Sequence, residues 1–372
     1  MSPLRAGTPR LAALALVLGA LSGMSAGKGA PWAPERVEPG AAGPGGNRTV
    51  RSEEVSVESE TIFHIRSRSD LMLPVQQAYA AALEKGGRFR VRFAPGDYGR
   101  FALSLRDVEG AGALDLLLEG EGDDPAVIEG LSLALEGRTV TLRNLILRRA
   151  EAPVAVLTVG AVESFVAERF AILDSLRFEP QIHEPLVSIS AAGPRGTTAT
   201  ATLRDCWFVG NRVQGGSPLL ATPRTGRSHL ASLRLDGVVF ARNEAAYGIE
   251  PWFTRSLTVE RTLVIEDRLA HGWLRLVSPL VRVELAGSLL SSTTPLVRLV
   301  SGPDVALGDF PPVVARKCEL RQGSVGEPEG IAAEACTRGE AWPRPGERSP
   351  LTEGARRAAV VDPRALVAAL GL

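Results

Sequence analysis

Between Val140 and Leu320 the chain repeats one pattern seven times. In Val140-Thr-Leu-Arg-Asn-Leu-Ile-Leu147 apolar and polar residues alternate and then run into a short apolar cluster, the mark of a strand, a bend and a second strand. The copies align on one apolar anchor: Leu147, Ile172, Phe208, Phe240, Val264, Leu290 and Leu320. Seven positions earlier stand Val140, Phe165, Ala201, Leu233, Leu257, Val283 and Val313, and five earlier Leu142, Ala167, Leu203, Leu235, Val259, Leu285 and Ala315. Period-2 geometry requires such columns if those side chains share one interior. Anchor spacings of 25, 36, 32, 24, 26 and 30 exceed a minimal coil, so loops should protrude near 176–184, 191–198 and 223–229. Stacked coils grow one continuous core, so 372 residues need not divide into two domains.

A second mark is proline ahead of another strand in most coils: Pro125, Pro153, Pro185, Pro218, Pro251 and Pro295, with Trp273 starting the coil that lacks one. Upstream, Leu71, Val75, Ala78, Tyr79, Ala82 and Leu83 follow helical spacing, with Asp70 as the expected cap and Gly86-Gly87 as the stop. The alternating Phe89-Arg-Val-Arg-Phe93 and the turn Ala94-Pro-Gly-Asp-Tyr98 come next. A capping helix, a strand, a Pro-Gly-x-Tyr turn and stacked coils together resemble the right-handed parallel β-helix proteins of the pectin-lyase-like (pectate lyase) superfamily, over about residues 70–320. The resemblance implies an all-β, right-handed parallel β-helix solenoid with an N-terminal capping helix. Asp362-Pro-Arg-Ala-Leu-Val-Ala-Ala-Leu370 fits a short C-terminal helix, expected to cover the open end of the stack.

Outside the repeats, Arg5 and Arg10 precede the apolar run from Leu11 to Leu21 and small residues through Gly27, the layout of a cleavable secretory signal. The expected organisation is a signal peptide at 1–27, a flexible linker at 28–60, the capped β-helix at 61–320, and a tail with its helix at 321–372. The destination is then secreted, periplasmic or cell-surface, with no transmembrane segment in the mature chain. Asn47-Arg-Thr49 matches a glycosylation acceptor in form only. Formal charge is zero, so the electrostatic footprint of a nucleic-acid binder is missing. Of the three cysteines, Cys318 and Cys336 are the natural pair for one disulfide in an exported chain. Cys318, however, shares its column with Cys206, Leu145, Phe170 and Val238, which should face the core.

The outward residues of the repeat strand hold most of the candidate chemistry, because enzymes of the resembling superfamily build their groove on that face. Arg143, Glu168, Arg204 and Asp236 should lie about 4.8 Å apart as a self-neutralising charge ladder. Asn211, Asn243 and Asp267, with Ser175 and Thr293, fall in another column and suit a ladder of hydrogen bonds at a bend. Asp123-Asp124, inside Gly120-Glu-Gly-Asp-Asp-Pro125, suits a turn better than a hydrolytic pair. His64, His183, His229 and His271 have no metal-ligand spacing. The catalytic sets of polygalacturonases and pectate lyases are not found: Ala270-His-Gly272 is only a partial match to Gly-His-Gly. Trp252, Trp273 and Tyr247 are the aromatics best able to stack on sugar rings.

These features lead to an exported, monomeric, non-catalytic protein without metal or cofactor, binding extracellular glycan or a cell-envelope partner through loops and one sheet face. The glycan-contact candidates are Trp252, Trp273, Tyr247, Arg143, Glu168, Arg204 and Asp236. The rival expectations are a polysaccharide lyase or glycoside hydrolase with an unfamiliar site, and a structural spacer.

Overall fold

A computed structural model describes residues 59–340 except 107–113, 193–197, 223–228, 280, 301–305 and 323–330. The leader, most of the linker, Asn47, the C-terminal helix and the tips of two expected loops lie outside the described residues. The described chain is an all-β parallel solenoid of about 9 turns. No helix among the described residues is long and apolar enough to cross a membrane.

The coils stack into three main parallel sheets. The first contains Glu60–Ile65, Gly87–Phe93, Leu114–Gly120, residues 139–143 and 164–168, Thr198–Arg204, His229–Asp236, Ser256–Glu260, Arg282–Ala286, Val313–Arg316 and Ile331–Glu334. The second carries the anchors, and Phe208 pairs with both Ile172 and Phe240. The third joins Val187–Ala191, Pro218–Ala221, Glu244–Glu250, Arg268–Leu276 and Val297–Leu299. Both interior columns of the first sheet are at most 2% exposed, and the anchors at most 3%. The rings of Phe208 and Phe240 stack at 5.1 Å. The stack continues past Leu320, because Ile331–Glu334 and Thr337–Glu340 add another coil.

Single residues make the sharp corners. Between the first and second sheets, Asn144, Arg169, Asp205, Gly237, Arg261, Gly287, Lys317 and Ala335 all have positive φ. After the second sheet, Arg149, Asp174, Gly210, Arg242 and Glu266 do the same. A left-handed residue reverses the chain in one step, so the coil turns without a long loop. Beside that second corner the amide column forms as expected: the Asn211 N–H donates to Asn243 Oδ1 at 3.0 Å, and the Asn243 N–H to Asp267 Oδ1 at 2.8 Å.

At the N-terminal end, helix α1, Leu73–Lys85, buries Val75, Tyr79 and Ala82 against the first coil, with the Tyr79 and Phe89 rings 5.7 Å apart. Asp70 does not cap it. Its carboxylate accepts the N–H groups of Arg66 and Ser67 at 2.8 and 2.9 Å, fixing a 3-10 turn at Arg68–Leu71. Pro74 then opens α1, and the Gly86 N–H closes it on Ala82 O at 2.9 Å. Tyr98 of the Pro-Gly-x-Tyr turn is buried, its hydroxyl donating to Ala94 O at 2.7 Å. Two marks differ from expectation. Pro251 follows its strand, and Tyr247 takes the place that Pro218 has in the coil before. Trp273 lies within Arg268–Leu276, not at its start.

Candidate functional site

The first sheet's outward column extends upstream of Arg143, where the expected charge ladder begins. In strict register it runs His64, Arg92, Glu119, Arg143, Glu168, Arg204, Asp236, Glu260. Arg92 Nε donates to Glu119 at 2.8 Å, and Glu168 lies 3.8 Å from Arg143 and 3.9 Å from Arg204. Pairs of this exposure contribute about 0 to 1 kcal/mol each. Asp236 leaves the row. Its side chain is 6% exposed and accepts from Arg261 Nε at 2.8 Å, the short carboxylate being held by the corner arginine of the next coil.

A polar cleft of about 540 Å³ opens at the N-terminal end of this column, where the loop 120–125 overhangs the sheet. Arg92, Glu119 and Arg143 of the column line it together with His64, Glu121, Asp123 and Arg169. Asn144 builds it. Left-handed at φ 57°, it turns back beneath the loop and its Nδ2 donates to Gly122 O at 3.1 Å and Asp124 O at 3.0 Å. Arg169 clamps the same loop through Asp123 O at 3.2 Å. Asp123-Asp124 is therefore a turn, and its place in the fold is to shape the cleft.

The acids and bases of the cleft are unevenly engaged. Glu119 is held by Arg92, and Glu121 lies 2.6 Å from His64 Nδ1. Arg143 is 60% exposed, with its 3.8 Å contact to Glu168 beyond hydrogen-bond length. The Arg143 guanidinium is thus the donor most available to a ligand, while exposed Arg169 lines the same cleft with one N–H already given to Asp123 O. The described residues contain no cluster of three or more groups suited to hold a metal ion.

The expected aromatic platform does not form. Trp273 is fully buried in the core, and a Cβ on Gly248 would sit 2.5 Å from its ring, so indole and glycine interlock across neighbouring coils. Tyr247 is 6% exposed, beneath the Arg275 guanidinium at 4.9 Å. Trp252 is half-buried and donates its indole N–H to Glu250, a fully buried carboxylate that Arg275 also meets at 3.1 Å. Tyr247 and Trp252 are brought together, then, around a buried Glu250–Arg275 pair rather than on an open surface. Of the seven contact candidates only Arg143 lines the cleft, with Glu168 and Arg204 continuing outward along the column. His64, Arg92, Glu119, Glu121, Asn144 and Arg169 are additions. Extending the outward column upstream would have found three of them; Asn144 and Arg169 stand at a corner, where no period applies.

Cys206 is buried, its Sγ 3.5 Å from Ala167 O. Cys318 and Cys336 occupy successive steps of one column and are not bonded in this structure. No protein-family model and no curated protein matches the chain.

Proposed function

We propose that this is an exported, non-catalytic β-helix protein that binds an extracellular glycan or cell-envelope polysaccharide in the N-terminal cleft and along the outward column of the first sheet. The observation that carries this reading is the exposed Arg143 guanidinium, with the loop-clamping Arg169 beside it, in a cleft lined by polar groups. Hydroxyl-rich ligands need donors and acceptors side by side, and this lining supplies both without an apolar pocket for a lipid or a lone aromatic ring. Rows of such groups recurring about every 4.8 Å suit an extended polymer. The zero formal charge and balanced column favour a ligand held by many hydrogen bonds over one held by net charge.

A hydrolase needs two carboxyl groups facing across a bond. Glu119 and Glu121 are instead each engaged with a neighbouring base, which supports binding without turnover. A glycan array followed by calorimetry on the best ligand tests the reading. Arg143→Ala and Arg169→Ala should each weaken binding about tenfold, the loss of one charge-assisted contact, with far-UV circular dichroism unchanged. Undiminished binding by the double variant would sink the cleft assignment. No binding to any glycan would leave the spacer reading, and release of reducing ends or unsaturated product, abolished by Glu121→Gln, would make the protein an enzyme.

A further inference from the structure

The outer face of the second sheet behaves unlike that of the first. Anchors such as Phe208, Phe240 and Val264 point inward, so the residues beside them point out. Those outward positions hold Ile146, Trp207, Val239, Leu263, Ile265 and Leu289, a hydrophobic cluster separate from the core. On the first sheet the outward Arg143 and Arg204 side chains are 60% and 49% exposed. Here exposure is 6% for Trp207, 1% for Leu263 and 0% for Ile265. Neighbouring coils shield the flanks of an outward side chain more than its tip. A neighbouring arginine can screen a short outward side chain, as Arg261 does Asp236, but a whole row of large apolar side chains near zero exposure is accounted for if something covers the stripe.

We propose that this stripe is the docking surface for the chain's own C-terminal segment, residues 358–372. The described chain ends on Thr337–Glu340, a strand of this same sheet stacked on Glu319–Gln322. The 32 residues that follow Glu340 (372 − 340) therefore leave from one end of the stripe. Residues 341–357 are rich in proline, glycine and charge and suit a connector; 358–372 bring Ala-Ala-Val-Val361 and Ala365-Leu-Val-Ala-Ala-Leu370. Leu289 lies two coil steps from Thr337, and Ile146 five steps beyond that, about 34 Å in all. The 17-residue connector (357 − 340) reaches about 56 Å when extended, enough for any part of the stripe. This placement moves the segment from the open end of the stack, where the sequence pattern first puts it, to the side.

Trp207 reports the outcome. In a full-length chain carrying Trp32→Phe, Trp252→Phe and Trp342→Phe, its emission is read with only the fully buried Trp273 beside it. Ending the chain after Arg357 should raise acrylamide quenching of Trp207 several-fold, and a synthetic peptide of residues 358–372 should restore protection. Should the truncated chain fail to fold by circular dichroism, Leu366→Asp with Leu370→Asp in the full chain is the second probe, and the pair Val239→Cys and Leu370→Cys should cross-link under mild oxidation. Unchanged quenching in the truncated or doubly substituted chain overturns the proposal. So does quenching that rises only when the full-length protein is diluted, which would assign the stripe to a second copy.

Discussion

At Asp267 a ladder of buried amides ends in a carboxyl group. Asn211 Nδ2 donates to Ile172 O at 2.8 Å and Asn243 Nδ2 to Phe208 O at 2.7 Å, each reaching the anchor one coil back. The same step from Asp267 leads to Phe240, but the atom there is Oδ2, buried and without a hydrogen-bond partner. Burial pushes this acid up from 3.8 to about 7, against the two bonds from Asn243; the neighbouring Glu266, paired with Arg242, adds to the rise. The folded value is above the unfolded one, so the folded state retains a proton that the unfolded chain releases between about pH 4 and pH 7. Stability should fall as pH rises through that window and level off above it. Asp267→Asn supplies the donor and should remove this slope, stabilising the protein at pH 8 by on the order of 2 kcal/mol; urea unfolding at pH 4, 6 and 8 measures it. A slope that survives the substitution would put its origin elsewhere. The column's existence was visible in the sequence. The state of its last member was not, because it depends on where one carbonyl points.

At the scale of the coil, alternation told which residues face inward, and the structure agrees at every interior column. Phe208→Ala should cost about 3 to 5 kcal/mol in chemical denaturation, since the site is 1% exposed and stacked on Phe240. A near-neutral result would contradict its packing. The corners were harder to see. Glycine, the usual sign of positive φ, occupies only a few of them, while Arg261 and Lys317 adopt φ of 49° and 51°. At one corner the Cys318 N–H donates to Cys336 Sγ at 3.3 Å. Stacked strands set such residues about 4.8 Å apart at Cα, inside the range a disulfide spans. After export and exchange with an oxidised thiol–disulfide partner, a non-reducing peptide map should find Cys318 joined to Cys336 with the loss of two hydrogens. Closing a loop of 17 residues (335 − 318) should add about 3 kcal/mol. Both thiols remaining open to alkylation in the exported protein would refute the bridge.

Over the whole molecule, charge is distributed so that it cancels locally. The outward column alternates in sign along most of its length, and the chain as a whole is neutral. Raising sodium chloride from about 0.05 to 0.5 M should therefore move Tm by no more than a few degrees in a calorimetric scan, because exposed pairs are weak and already screened. A large drop would mean that the ladder supports the stack. The repeat by itself determined the parallel stack, its register and its core, because an interior shared by successive coils forces the same positions to be apolar each time. It also placed Arg143 in a balanced row. Only the tertiary structure decided which members of that row meet a cleft, that Trp273 is core and Asp236 is turned aside, and that the second sheet's outward apolar residues are buried. Those outcomes depend on corner residues, loop overhang and contacts between distant segments, none of which has a period that a sequence can display.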